Sequence, residues 1–204
     1  MDAISKSIAK DRRQQIIDAA SELFGKQGYY GTRMTDIADY IGVTKPVVYR
    51  YFDSKEKLFA EWFEEVITDE YDQLIDYINN SKDSARVVTK KILETYYDMI
   101  LSSFILTPYK IAIMEAGVCP EITKVVYDKM QARFLEAVNA LFERAQKSKE
   151  LKINDSMLLA HLFISPICGS LVHYTVFGYS AVNPERLKKF YDAHHESFWF
   201  SWAV

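Results

Sequence analysis

Apolar residues return every three or four positions along nearly the whole chain, and no stretch alternates apolar with polar as a half-buried strand would. Ile16, Ala20, Leu23 and Phe24 form one such stripe. Leu58, Phe59, Trp62, Phe63, Val66 and Ile67 form another, which runs on through Leu74, Ile75 and Ile78 as one helix from Lys55. The pattern repeats at Val88, Ile92, Tyr96, Met99 and Ile100, and again at Met130, Phe134, Val138, Leu141 and Phe142. This period predicts an all-α fold of about nine helices. Breakers fall between the stripes: "GKQGYYG" closes the first helix, Gly42 closes "MTDIADYI", and "NNSKDS" closes the helix from Lys55. Pro120 opens a long helix, Asn154 or Asp155 can cap the next, and Asn183-Pro184 begins the last.

Residues 34–52 read as two short helices meeting at a turn. Ala38 is small where the helices must approach, and Gly42 suits the left-handed residue that ends the first of them. Ile37, Ile41, Val43 and Val48 supply the shared interface; Thr44 can cap the second helix, whose first turn holds Pro46. With Val48 at the core and about 100° per residue, Thr44 and Phe52 fall on the core side. Pro46, Val47 and Arg50 then face outward, with Lys45, Tyr49 and Tyr51 along the borders. A helix-turn-helix sends a second helix of this kind into the major groove. There Arg50 and Lys45 can donate to guanine and Val47 can meet a thymine methyl, the alternative being further phosphate contact. Thr32 and Thr35 flank the start of the preceding helix, where capping and phosphate contact both fit.

The stretch "RRQQIIDAASELFGKQGYYGTRMTDIADYIGVTKPVVYRYFDSKEKLF" resembles the DNA-binding domain of the TetR family of transcriptional regulators. The shared features are Ala19-Ala20 followed by Leu23-Phe24, Gly28-Tyr29, "DIA", Gly42-Val43 and "YRYFDSKEKLF"; "EAGVCPEI" at 115–122 resembles a segment of AcrR-like regulatory domains. The resemblance implies a three-helix DNA-binding head at 1–53 and a larger helical ligand-binding and dimerisation domain at 54–204. It also implies that Tyr49, Tyr51 and Lys55 touch phosphates, which phenol hydroxyls and a lysine at a helix start can do without reading sequence. Otherwise the tyrosines pack the head and Lys55 belongs to a solvated charge run. Arg33 stands where family members usually have Ser or Thr, which leaves the capping residue open and adds a cation. Arg33, Thr35, Thr44 and Pro46 complete the expected DNA face, and Lys6, Lys10, Arg12 and Arg13 offer an arm contact or a solvated leader.

The implied function is a dimeric, sequence-specific repressor of a double-stranded DNA operator, released by a small, largely apolar effector and acting in the cytoplasm. The alternative is a helical adaptor or ligand-binding protein without DNA regulation. Charge agrees with the first reading: residues 1–57 carry a net +2 while the remainder carries −5. Tyr96, Met99, Phe104, Met114, Tyr127, Met130, Phe134, His173 and Tyr174 would line the effector pocket, unless they are plain core. Glu115 or Asp98 would face a cationic ligand or else be solvated. His161 and His173 fall about 120° apart on a helix, so they form no metal pair. With no nucleophile–base signature, phosphate loop or metal spacing, no enzyme, metal or cofactor is expected. The cysteines, Cys119 and Cys168, read as reduced thiols.

From Ser156 to Pro184 the chain carries no formal charge. A membrane span needs ~20 apolar residues, but His161, Ser165, Gly169, Ser170 and His173 lie through the middle of this stretch. The expectation is therefore no membrane contact. Instead this helix and the aromatic tail "FYDAHHESFWFSW" form a homodimer surface through the last two helices.

Overall fold

The computed structural model describes residues 3–66, 69–102, 106–152, 155–177 and 183–204. Among them the fold is all-α. Its helices are α1 Ala3–Gly31, α2 Met34–Tyr40, α3 Lys45–Tyr49, α4 Lys55–Val66, α5 Asp69–Asn80, α6 Ala85–Leu101 and α7 Leu106–Glu115. These are followed by α8 Pro120–Val126, a π-helical turn Tyr127–Ala132, α9 Arg133–Lys147, α10 Ser156–Phe177 and α11 Pro184–Trp202. Pro120 opens a helix that continues through the π turn into α9, as its sequence predicts. The continuity expected from Lys55 to Ile78 rests on residues 67 and 68, which lie outside the described residues, as does Phe104. Extended pairing among the described residues is limited to an isolated antiparallel bridge, Leu151 to Ala203.

Two compact units are built from interleaved sequence: residues 1–66 with 111–126, and residues 67–110 with 127–204. In the first, Ile16, Ala20 and Phe24 from α1 meet Leu58, Phe59, Trp62 and Phe63 from α4, all of them buried. Phe24, Tyr29, Phe59 and Trp62 form a ring cluster, with centroids 5.2 to 5.6 Å apart in tilted and edge-on pairs. Ile122 and Val126 of α8 are buried and pack on the α4 side. The α1 path departs from helical geometry at Gly28 (φ 76°, ψ 171°), a left-handed conformation that only glycine adopts cheaply.

The second unit packs α9 against α5 and α10, and α6 against α11. Phe142, Phe163 and Phe198 make its ring core, with His194 stacked 5.3 Å from Phe163. Helix starts are capped by side chains: Ser84 Oγ accepts from Val87 N, Asp155 Oδ1 from Leu158 N at 2.9 Å, and Asn183 Oδ1 from Arg186 N at 3.0 Å. Asp155 is thus one of the two caps predicted for α10. Thr89 and His195 are buried polar groups satisfied together: Thr89 Oγ1 donates to Ala85 O and accepts from Trp199 Nε1 at 2.9 Å, while His195 Nε2 lies 3.0 Å from Arg86 O.

Two outcomes are expected. Gly28→Ala places a Cβ 3.1 Å from Glu115 Oε1 on a positive-φ residue, and should lower the urea-derived stability by about 1–2 kcal/mol. For His194, burial holds the imidazole below its ordinary pKa, partly offset by the hydrogen bond to Phe163 O, and His195 lowers it further. The unfolded chain therefore takes up this proton first. Stability from this group is complete above the unfolded pKa of about 6.5 and is lost as pH falls through the folded value. His194→Gln should flatten the decline of the urea midpoint between about pH 7 and 5.

Candidate nucleic-acid interface

The turn between α2 and α3 is a Schellman motif. Val43 N donates to Ala38 O at 2.9 Å, Gly42 N donates to Asp39 O at 3.2 Å, and Gly42 sits at φ 67°. Ile37, Ala38 and Val48 are fully buried between the two helices, and Phe52 is buried beyond them. The chain after the turn therefore has one fixed face and one free face. Lys45, Pro46, Tyr49 and Arg50 are exposed, Val47 and Tyr51 half-buried. Lys45 Nζ lies 5.4 Å from the Tyr49 ring centroid, so a cation and a phenol occupy one corner of the free face. Thr44 departs from the expected arrangement: it is exposed rather than turned to the core. At the N-cap its backbone is extended (φ −87°, ψ 149°), so the helical phase counted back from Val48 no longer applies, and its hydroxyl makes no capping bond.

At the start of α2, Arg33 occupies the N-cap and Asp36 Oδ2 accepts its backbone N–H at 2.8 Å. A guanidinium has no acceptor, so it cannot return the bond that Ser or Thr would make there. Arg33 is exposed and Thr35 half-buried. Arg13 pairs with Glu61, and its guanidinium sits 5.1 Å from the Phe52 ring centroid. The side chains of Lys6 and Lys10 lie outside the described residues.

Just before α2, the break at Gly28 frees backbone groups that one local and two distant side chains then satisfy. Thr32 Oγ1 donates to Gly28 O at 2.7 Å. Lys55 Nζ donates to Tyr29 O and Thr32 O, both at 2.8 Å, while lying 4.1 Å from the Tyr29 ring centroid. Glu115 Oε1 accepts from Tyr30 N at 2.9 Å. Thus Lys55 directs two donors into the head and is half-buried; burial lowers its ammonium pKa against the opposing pull of Cys119, Glu56, Glu115 and Asp36. Glu115, expected to be solvated or to face a ligand, is instead buried at 3% exposure.

The residues expected to line an effector pocket divide. Tyr96, Met99, Met130 and Phe134 are buried in the second unit, with Tyr96 and Phe134 rings 4.9 Å apart. Tyr71 Oη donates to Met130 O at 2.7 Å, taking a carbonyl of the π turn, and Tyr109 hydrogen-bonds Gln131 from the same turn. Burial raises the pKa of Tyr71, Tyr96 and Tyr109, so these phenols are protonated donors. Tyr127 and His173 are exposed and Tyr174 is half-buried; Met114 is exposed in the first unit beside Gly28. A cleft of about 510 Å³ opens between α6 and α11 over Leu93, Tyr97, Tyr191 and His195, with Lys90, Lys91, Glu94, Asp98, Lys188 and Asp192 also lining it, and one of about 370 Å³ between α5 and α6 reaches Asp98 and Met99. Among the described residues no cluster of metal-ligating side chains occurs.

Residues 16–62 match the family model for bacterial regulatory proteins of the tetR family, and residues 88–198 match the model for the AefR-like transcriptional repressor C-terminal domain. Among curated proteins, the chain is 49% identical over 49 residues to the HTH-type transcriptional activator FasR of Mycolicibacterium smegmatis, covering 24% of this chain and 22% of that one. It is 30% identical over 92 residues to the HTH-type transcriptional repressor KstR2 of Rhodococcus jostii, covering 45% of each. The matches span less than half the length of these curated relatives. A crystal structure of a TetR-family transcriptional regulator from Mesorhizobium loti shares the fold, with TM-score 0.73 and 23% identity over 96% of this chain and 98% of that one.

Lys55→Met should remove the side-chain donor from Thr32 O and leave Tyr29 O with only the Thr32 N–H at 3.2 Å, costing about 1–3 kcal/mol in urea unfolding. Lys57→Met, which removes an exposed ion pair with Asp53, should leave the midpoint unchanged.

Proposed function

We propose a function from one premise: this chain belongs to the tetR family of bacterial regulatory proteins and carries that family's AefR-like C-terminal domain. It is a DNA-binding transcriptional regulator. In our reading it acts in the cytoplasm as a homodimeric repressor that leaves its operator when a small, largely apolar effector binds the second unit. The observation that carries the DNA reading is the division of α3 and its flanks. Val48 and Phe52 are fully buried, while Lys45, Pro46, Tyr49 and Arg50 are presented outward on a turn of fixed geometry. Arg50 and Lys45, with Val47, take base edges; Tyr49, Tyr51, Thr35, Thr44 and Arg33 take backbone, and Lys55 offers phosphate its remaining N–H.

A helix this short reads few bases, so a two-fold pair of heads on two half-sites supplies the specificity. The exposed face of α10 supports that pairing. Leu158, Leu162, Val172 and Val176 recur at helical spacing there with no charge among them, and Phe190 of α11 is exposed as well. By length and composition α10 could cross a membrane, yet Leu159, Phe163, Ile167 and Leu171 on its other side are buried in the unit's own core. A second copy covers the free face in this reading. The buried phenols of Tyr71, Tyr96 and Tyr109 support a largely apolar effector held by hydrogen bonds, while the charged linings of the α6–α11 and α5–α6 clefts do not. Coupling has a covalent route, because α7 begins in the second unit and ends in the first.

Arg50→Ala should cost about 1–3 kcal/mol at particular base positions and nothing at the others, measured on a duplex substituted position by position. A base-preference profile identical to that of the wild type would remove Arg50 from sequence reading.

A further inference from the structure

Glu115 is a carboxylate buried to 3% exposure at the end of α7, inside the DNA-binding unit but far along the chain from the reading helices. Burying a carboxylate is costly unless hydrogen bonds and opposite charge compensate it. Here the compensation comes from the connector into α2. Tyr30 N–H donates to Glu115 Oε1 at 2.9 Å, across 85 residues of sequence. The same oxygen lies 3.1 Å from where a Cβ at Gly28 would stand, so the missing side chain of Gly28 is what admits the carboxylate. The Lys55 ammonium is electrostatically coupled to Glu115 while it holds Tyr29 O and Thr32 O on the other side of the same connector.

We infer that Glu115 is a positioning residue for DNA reading: by holding Tyr30 N–H it fixes the connector from which α2 departs. This rests on the proposed DNA-binding function. Residues 30–33 are all that separate the broken end of α1 from α2, and α2 is locked to α3 by the Gly42 turn and by Ile37, Ala38 and Val48. A shift of the connector therefore reaches Arg50 as a shift of the whole pair. Base recognition tolerates only about 0.5 Å or 10–20° of such displacement. Phosphate contacts, which fix no base identity, tolerate more. Losing Glu115 should thus damage specific binding more than non-specific binding, an asymmetry that simple destabilisation does not produce.

The test begins with full-length wild type enriching a duplex from a random library. Dissociation constants for that duplex and a scrambled one of equal length are then measured for wild type, Glu115→Ala and Glu115→Gln, at a temperature where circular dichroism shows each fully folded. Glu115→Ala should weaken the selected duplex by about tenfold or more and the scrambled one by less than about twofold, while Glu115→Gln, which keeps an acceptor oxygen, stays within about threefold of wild type. Equal losses on both duplexes, no loss on either, or a glutamine variant as impaired as alanine would overturn the assignment. A wild type that enriches no duplex would instead sink the DNA-binding reading itself. Hydrogen exchange in the wild type gives a check that needs no variant: the Tyr30 amide should be protected, and exchange at the free-chain rate would refute the latch.

Discussion

A chain folded almost wholly as helices must satisfy its backbone at every helix end, and much of this structure follows from how it does so. Each solution uses a different chemistry. Gly42 closes α2 with backbone bonds alone; Ser84, Asp155 and Asn183 lend side-chain oxygens to starting helices; Tyr71 reaches the Met130 carbonyl of the π turn. The break at Gly28 is the most demanding, since it leaves carbonyls and an N–H inside the head where little water reaches. Thr32 meets them locally, while Lys55 from α4 and Glu115 from α7 tie two further elements to the connector.

The second unit solves a different problem. Its helices bury one side in a ring core, and α10 leaves the other side apolar and uncharged. In a lone chain such a face would be a standing hazard of non-specific association, which the proposed self-pairing would remove. The buried phenols near the π turn carry no charge of their own, and Tyr71 spends its hydrogen bond on the Met130 carbonyl.

Much of this could be read before any coordinates. Helical period alone gives the buried faces: Ile37, Val48, Phe52, Phe59 and Trp62 lie inward as their spacing predicts; of the three residues expected to face outward, Pro46 and Arg50 are exposed and Val47 is half-buried. The exceptions share a cause. Thr44 was placed inward by extending helical phase past the first residue of α3, where the backbone is already extended. Tyr127 is spaced with Met130 and Phe134, but a stripe does not say which helix face meets a neighbour; Tyr127, Met114 and His173 are all exposed. Glu115 reads from sequence as solvated or facing a ligand because its partner lies 85 residues away, and no local spacing encodes that meeting.

The first unit is discontinuous in sequence, and this bears on how the protein is made. Synthesis runs from the amino terminus, so α1 to α4 leave the ribosome well before residues 111–126 do. Until then the side of α4 that meets α8 lacks Ile122 and Val126, and the Tyr30 N–H lacks its carboxylate. Completing the head requires closing a loop through α5 and α6, an entropic cost that the nascent head cannot avoid by folding early. A fragment cut at residue 66 is for the same reason an unfinished head rather than a portable module, and the first unit is complete only once the chain has been made through α8, with α5 and α6 already synthesised and α9 to α11 still to come.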